Sequence, residues 1–188
     1  MLVRFVLTMA LLLTVSACAP QPVVAPVEDA AFSAHGITKI AVQPVVVRDW
    51  TPRGFCERDV ENRLRFSLVR ALEGKGYEVT RVAREAPRYV VSSDPLVDET
   101  ADNVLAQVPS GVDAVLMLWV DHYQSFGLCD AVRHPRLELE ATAVLYSVAQ
   151  RAEIWRNRAL VGDFTSNDPV LYVTYELPRR LLITLPDR

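Results

Sequence analysis

Apolar and polar residues recur along the first half of this chain with two different spacings, which predict strands and helices. The stretch 37–47 is short and rich in β-branched residues, which predicts a strand. Pro44 lies inside it and cannot donate to a ladder, so we expect it at a bulge, a strand end or an edge. The stretch 57–75 predicts a helix and 77–82 a second strand. The apolar stripe of the predicted helix consists of Val60, Leu64, Leu68 and Leu72.

The second half predicts a further helix at 99–107, then a buried strand and a hairpin. The stretch 113–120 contains a continuous apolar run at 114–120, which is typical of a central strand covered on both faces. The stretch 121–135 is polar and predicts a loop. Clean alternation predicts a strand at 136–148, and 153–162 predicts the strand that returns beside it.

The end of the chain predicts one more helix. Asp168 and Pro169 resemble a helix start, and the helix extends to about residue 184 with a break near Pro178. The order of elements predicts an α/β fold in a single domain. Its mixed sheet has a parallel βαβ start and an antiparallel hairpin at the end, and the helices pack on the sheet.

The first residues of the chain have the pattern of a secretory signal. Arg4 precedes an apolar run at 5–15, which is too short to span a bilayer comfortably. Val15-Ser16-Ala17-Cys18 resembles the lipobox of bacterial lipoproteins. The resemblance implies cleavage before Cys18, lipidation with acyl chains such as palmitate, and a membrane anchor. The alternative is a secreted protein whose first mature cysteine is accidental.

These observations divide the chain into three parts. Residues 1–17 are the expected signal peptide, 18–36 the lipidated cysteine and a Pro-rich tether, and 37–188 the α/β domain. Ala19 follows the cysteine where an aspartate would stand in a retained lipoprotein, and this resembles the default that permits export. We therefore expect the domain to be lipid-anchored at the outer membrane and to face the periplasm.

Charge and composition exclude several classes of function. The net charge is −3 and no basic block occurs, so nucleic acid is not an expected partner. The chain has only 7 glycines, with no phosphate-binding loop and no Gly-x-Ser-x-Gly elbow. We therefore expect that the protein binds no cofactor and is not an enzyme.

Two cysteines, Cys56 and Cys129, remain after lipidation. In an oxidising compartment an even pair favours a disulfide. Two buried thiols are the alternative. Cys129, Asp130 and His134 lie close together in sequence but lack the repeated ligand pairs of a zinc site, so no metal is expected.

Polar groups with catalytic potential are concentrated between residues 121 and 140. An aspartate and a histidine at a strand end could perform acid/base work. The alternative, which we favour, is that these side chains line a solvated strand end and strand face. The group comprises Asp121, His122, Tyr123, His134, Glu138 and Glu140.

Four sequence stretches resemble a family of small envelope lipoproteins, when they are taken with the lipobox. The family includes LpoB, the periplasmic domain of CsgG and the amino-terminal domain of TolB. The stretches are Lys39-Ile40-Ala41-Val42, Leu72-Glu73-Gly74-Lys75-Gly76-Tyr77, Ala114-Val115-Leu116 and Ile154-Trp155-Arg156. No segment is left over for the membrane-spanning hairpins of CsgG.

The resemblance implies a non-catalytic domain that binds other envelope proteins or assembles with itself. The alternative function is an auxiliary lipoprotein subunit of an envelope system that transports lipid or a small molecule. Partners of an open α/β sheet tend to bind at the carboxyl ends of its strands. Aromatic and arginine residues of the loops expected there predict a docking rim, unless they fold back over the core. The rim comprises Trp50, Arg53, Phe55, Tyr123, Phe126 and Arg133.

Overall fold

Seven strands form one mixed sheet in the computed structural model, which describes residues 27–28, 32, 36–47, 55–82, 101–106, 108–126, 136–165 and 175–188. The strands are β1 Val27–Glu28, β2 Lys39–Val42, β3 Val46–Val47, β4 Glu78–Arg81, β5 Ala114–Phe126, β6 Arg136–Ser147 and β7 Ala152–Thr165. The helices are α1 Phe55–Gly74, α2 Ala101–Leu105 and α3 Leu177–Leu181.

The strand order confirms the predicted fold class. The order is β1-β7-β6-β5-β2-β4, and β3 pairs with β5 beyond the end of β2. β2 lies between β4 and β5 and is parallel to both, as a βαβ connection requires. β5, β6 and β7 are antiparallel neighbours. The parallel start and the antiparallel hairpin are therefore both present in a single α/β domain.

Helices α1 and α3 cover one face of the sheet. Leu64, Leu68 and Leu72 of the predicted stripe are almost fully buried, in one cluster with the inward residues of the strands. Helix α1 begins at Phe55, two residues before its predicted start. In the described ranges, no helix is long and apolar enough to cross a membrane.

The second face carries a smaller apolar cluster beneath α2. Val104 of α2 packs there with Val115, Met117 and Trp119 of β5. Leu116 and Leu118 point to the opposite face and join the larger cluster. Both faces of β5 are therefore covered along this stretch, which is why the sequence is continuously apolar from 114 to 120.

The predicted first strand is divided at Pro44. The amide of Gln43 still donates to the Leu116 carbonyl at 3.0 Å, and Pro44 follows where the ladder is interrupted. Pairing resumes at Val46, opposite Trp119 of β5. Pro44 therefore lies at a strand end, as its missing N–H requires.

The prediction of a polar loop at 121–135 is wrong for residues 121–126. β5 continues to Phe126, which pairs with Arg136, and the register shifts between Val120 and His122. An antiparallel ladder is made by backbone groups, so it tolerates polar side chains where no apolar face is needed. β7 likewise continues to Thr165, past its predicted end at residue 162.

Helix α3 corrects the prediction of a break near Pro178. Pro178 lies in the first turn of α3, where its missing N–H leaves no intrahelical bond unmade. Asp168 and Pro169 lie outside the described residues. After α3, the chain ends against the turn between α1 and β4: the Tyr77 hydroxyl donates to the Pro186 carbonyl at 2.8 Å, and the Arg188 amide donates to the Lys75 carbonyl at 2.9 Å.

Part of the segment expected to be a tether contacts the domain. Val27 and Glu28 form β1, which pairs antiparallel with β7 opposite Arg156 and Trp155. Phe32 is only 5% exposed and belongs to the larger apolar cluster. Residues before the expected domain start at residue 37 therefore contribute both to the sheet and to the core.

Candidate functional site

Only three of the six residues of the predicted docking rim lie in described elements of the structure. Phe55 is the first residue of α1, and Tyr123 and Phe126 belong to β5, so none of these three lies in a loop as predicted. Their side chains, and all of Trp50, Arg53 and Arg133, lie outside the described residues. The docking rim therefore stays a prediction.

The predicted lipidation and disulfide sites also lie largely outside the described residues. Cys56 is the second residue of α1, and its side chain is not among those described. Cys18 and Cys129 fall outside the described ranges entirely. The lipid anchor and the Cys56–Cys129 bond therefore both stay predictions.

A hollow lies beside α1 at the carboxyl ends of β2 and β4, the end of the sheet where the sequence predicts partner binding. Arg65 of α1 reaches over these ends and donates to the Val42 carbonyl at 2.9 Å and to the Val82 carbonyl. The hollow has a volume of about 390 Å³. It is lined by Asn62, Arg63, Arg65, Phe66 and Arg81.

Phe66 lines this hollow and contacts two arginine side chains. Its side chain is on the outer side of α1, between the buried Leu64 and Leu68, and it is 45% exposed. The guanidinium of Arg70, one helical turn further on, lies 5.3 Å from the ring centroid, and that of Arg81, from β4, lies 5.1 Å from it. Both distances are those of cation–π contacts, so one exposed ring holds two cations near each other.

The two cations over Phe66 differ from most basic residues of the described chain. Arg70 and Arg81 have no carboxylate partner within the described ranges. The described ion pairs instead join Lys39 to Glu78, Lys75 to Asp187, Arg151 to Asp102, Arg156 to Glu153, Arg158 to Glu140, and both Arg179 and Arg180 to Glu176. The surface around Phe66 is therefore a local concentration of positive charge on a chain whose net charge is −3.

Two of the six polar residues with predicted catalytic potential, Asp121 and Glu140, form structural contacts on the second face of the sheet. The Asp121 carboxylate accepts a 2.6 Å hydrogen bond from the Thr142 hydroxyl, and Glu140 pairs with Arg158. His122 is exposed on β5. The side chains of Tyr123, His134 and Glu138 lie outside the described residues. Among the residues that the structure describes, no three His, Cys, Asp or Glu side chains are grouped to hold a metal ion.

A bidentate pair between Arg156 and Glu153 extends this polar row. The Arg156 Nε and Nη2 atoms donate to the two Glu153 carboxylate oxygens at 2.8 Å and 2.7 Å. The hydrogen bonds to Glu153 raise the pKa of Arg156 above its usual value. The row therefore consists of polar contacts on strands β5, β6 and β7, two of which are ion pairs, and this arrangement suits a polar surface better than acid/base chemistry.

The sequence analysis missed the arginines around Phe66. One signal was present, because Phe66 lies off the apolar stripe of a predicted helix and Arg70 follows it by four residues. Arg81 gave no such signal, since it reaches the ring from β4 and only the tertiary fold brings it there.

Comparison with solved structures places the fold among known ones. PelC from Paraburkholderia phytofirmans, solved as a dodecamer, is 18% identical with a TM-score of 0.56, covering 89% of this chain and 99% of that one. The lipoprotein GNA1162 from Neisseria meningitidis is 19% identical with a TM-score of 0.44, covering 70% of this chain and 85% of that one. Protein XCC0632 from Xanthomonas campestris is 15% identical with a TM-score of 0.41, covering 76% of each chain.

Sequence comparison adds no family. No protein-family profile matches the chain, and no curated protein matches it. The likeness to PelC shows a shared fold. The narrower resemblance to LpoB, CsgG and TolB stays a prediction.

Proposed function

We propose that this protein is a non-catalytic domain, lipid-anchored at the outer membrane through Cys18, which assembles with copies of itself in the periplasm. The observation that carries the proposal is the likeness to PelC, which extends over 89% of this chain and 99% of that one. PelC is a dodecamer in its crystals. A shared fold over nearly the whole of both chains supports a similar mode of assembly.

The two ends of the sheet supply the different surfaces that a head-to-tail ring requires. At one end, β4 pairs only with β2 among the described strands. At the other end, among the residues that the structure describes, the outer edge of the fourteen-residue β7 is paired with β1 at Trp155 and Arg156 only. Edge strands present backbone donors and acceptors to a neighbouring chain, so each edge can take up a strand or segment from the next copy.

The distribution of apolar residues supports an interaction domain over the alternative of a lipid carrier. The buried apolar side chains that the structure describes form two clusters that pack against the two faces of the sheet. A carrier needs an apolar cavity of several hundred cubic ångströms. The described hollow beside Phe66 is instead lined mainly by arginines.

The oligomeric state of the full chain tests the proposal directly. The protein, purified in a non-ionic detergent, is expected to give one closed oligomer by native mass spectrometry and in negatively stained images. A chain that stays monomeric at every concentration tested would contradict the proposal.

A proline in β4 tests the edge itself. The Glu78 amide donates to the Thr38 carbonyl and the Val82 amide to the Val42 carbonyl, so the intervening N–H of Val79 points away from β2. Val79→Pro removes this outward donor, whereas the matched control Val79→Ala shortens the side chain and keeps the donor. We expect the proline variant to lose assembly and the alanine variant to retain it.

The anchor needs its own test. Expressed in a Gram-negative host, the wild-type chain is expected to pellet with membranes after a high-salt wash, and Cys18→Ala is expected to be released, because the lipid is lost. A Cys18→Ala variant that still pellets would locate the anchor elsewhere.

A further inference from the structure

Two guanidinium groups held near one exposed ring repel each other and together form a site that attracts anions. Arg70 and Arg81 lie 5.3 Å and 5.1 Å from the centroid of the Phe66 ring, so their charges are within about 10 Å of each other. Both side chains belong to exposed residues, on α1 and β4 respectively. Their attraction to the ring offsets part of this repulsion and fixes where the two cations stand.

Within the described residues, no ion pair joins Arg70 or Arg81 to a carboxylate. The carboxylates of Glu78, Asp102, Asp187, Glu153 and Glu140 each pair with another lysine or arginine. Asp113 is bound by the amides of Thr38 and Lys39. Glu73, three residues after Arg70 on α1, is exposed and forms no described ion pair with it. Among the residues that the structure describes, Arg70 and Arg81 therefore contact the Phe66 ring and no carboxylate.

We propose that the surface around Phe66 binds an oxyanion, a phosphate or carboxylate group, with Arg70 and Arg81 as its principal donors. Arg81 and Phe66 line the hollow, and Arg70 contacts the Phe66 ring. A guanidinium is planar, permanently charged and able to donate two parallel hydrogen bonds to such a group. Phe66 orients both guanidiniums before the anion arrives, which lowers the entropy lost on binding. Arg65 has a different role, because it caps the carbonyls of Val42 and Val82.

The size and position of the hollow define the ligand class further. About 390 Å³ accommodates one phosphate or carboxylate and a small attached group, and not a folded partner. Such a group could be a free anion or the head group of an anionic phospholipid. The two sources share the same recognition chemistry, and the experiment below separates them. The proposal goes beyond self-assembly and does not depend on it.

Titration with inorganic phosphate tests whether the hollow binds a free anion. The full chain in a non-ionic detergent is titrated by calorimetry while chloride keeps the ionic strength constant. We expect saturable binding that Arg70→Gln and Arg81→Gln each weaken about tenfold, because each removes a charged donor. Phe66→Leu should also weaken binding although it changes no charge, since the guanidiniums lose their orienting ring. Arg179→Gln, a change at an exposed arginine on α3, is the matched control and should bind as the wild type does.

Mixed micelles with or without phosphatidylglycerol test, with the same variants, whether the protein binds the head group of an anionic phospholipid. Binding of phosphate that depends on Arg70 and Arg81 supports a free anion. Binding of phosphatidylglycerol alone, lost in the same variants, supports a head group. Wild-type protein that binds neither probe overturns the proposal, as does binding that is equal in Arg70→Gln, Arg81→Gln and Arg179→Gln. These results are read on the protein in whatever oligomeric state it has, so a failure here is distinct from a failure of assembly.

Discussion

The backbone amide of Thr38 donates to the Asp113 carboxylate at 2.9 Å, and this bond joins the entry of β2 to the entry of β5. The Lys39 amide and the Thr38 hydroxyl donate to the same oxygen at 2.8 Å and 2.9 Å. Burial by itself raises the pKa of Asp113, but the hydrogen bonds from Lys39 and Thr38 outweigh it, so the pKa is lowered overall. The carboxylate therefore fixes the start of the parallel part of the sheet.

Asp113→Asn is expected to reduce the free energy of unfolding by about 1–3 kcal/mol at pH 7, because three donors lose a charged acceptor. Urea unfolding of both proteins measures the difference. Asp102→Asn is the control, since Asp102 forms an exposed pair with Arg151 and should change stability by less than about 1 kcal/mol. Equal losses in the two variants would contradict the role given to Asp113.

The stabilisation from Asp113 should also depend on pH. A carboxylate whose pKa is lower in the folded state stabilises the fold above its unfolded pKa of about 3.9, and this stabilisation is lost as the pH falls through the folded pKa. The stability difference between wild type and Asp113→Asn should therefore shrink between pH 7 and acid pH. A difference that stays constant over this range would show that the charge is not responsible.

Leu68→Ala is expected to cost about 2–5 kcal/mol, because Leu68 is fully buried between α1 and the sheet and its truncation leaves a cavity. Denaturant unfolding measures the loss. The control is Ile183→Ala, at a residue that is 71% exposed, which should change stability by only about 0.5 kcal/mol. A loss below about 1 kcal/mol for Leu68→Ala would mean that α1 does not pack as described.

Tyr77→Phe is expected to cost about 0.5–1.5 kcal/mol, since it removes the hydrogen bond to the Pro186 carbonyl and keeps the buried ring. Tyr175→Phe is the matched control, because Tyr175 is 69% exposed. Hydrogen exchange should also show faster exchange at the Arg188 amide in Tyr77→Phe. If neither stability nor exchange changes, the chain end is not held through Tyr77.

The Cys56–Cys129 disulfide is a prediction that the parallel arrangement of β2 and β5 supports. Segments that follow parallel strands leave the sheet at the same end. Cys56 follows β2 and β3, which are both parallel to β5, and Cys129 follows β5. A disulfide between Cys56 and Cys129 would contribute about 4 kcal/mol to the free energy of unfolding in the chain-entropy model. Mass spectrometry of protein isolated from the periplasm should find the bond, and two free thiols would refute it.

The sequence predicted those parts of the fold in which burial is periodic. The spacing of Leu64, Leu68 and Leu72 predicted the buried side of α1. The apolar run that forms part of β5 predicted a strand covered on both faces. Pro44 was placed at a strand end for a local chemical reason, its missing N–H. These features depend on short-range patterns that the tertiary structure reinforces.

The remaining features depend on contacts that the sequence does not encode locally. The strand continues through Asp121 and His122 because β6 offers backbone partners, and polar side chains do not reveal that. Pro178 was expected to break a long helix because its position within the helix could not be known. Arg81 reaches Phe66 from a different element, so the arginine pair exists only after folding.

If Cys18 is lipidated as predicted, the pairing of β1 with β7 limits how far the domain can move from the membrane. The chain is attached to the sheet at Val27, nine residues after Cys18, instead of at residue 37. An extended residue spans at most about 3.5 Å, so the reach falls from about 65 Å to about 30 Å. A protein confined to that shell encounters its neighbours nearly in two dimensions, and even weak contacts between sheet edges then act at a high local concentration.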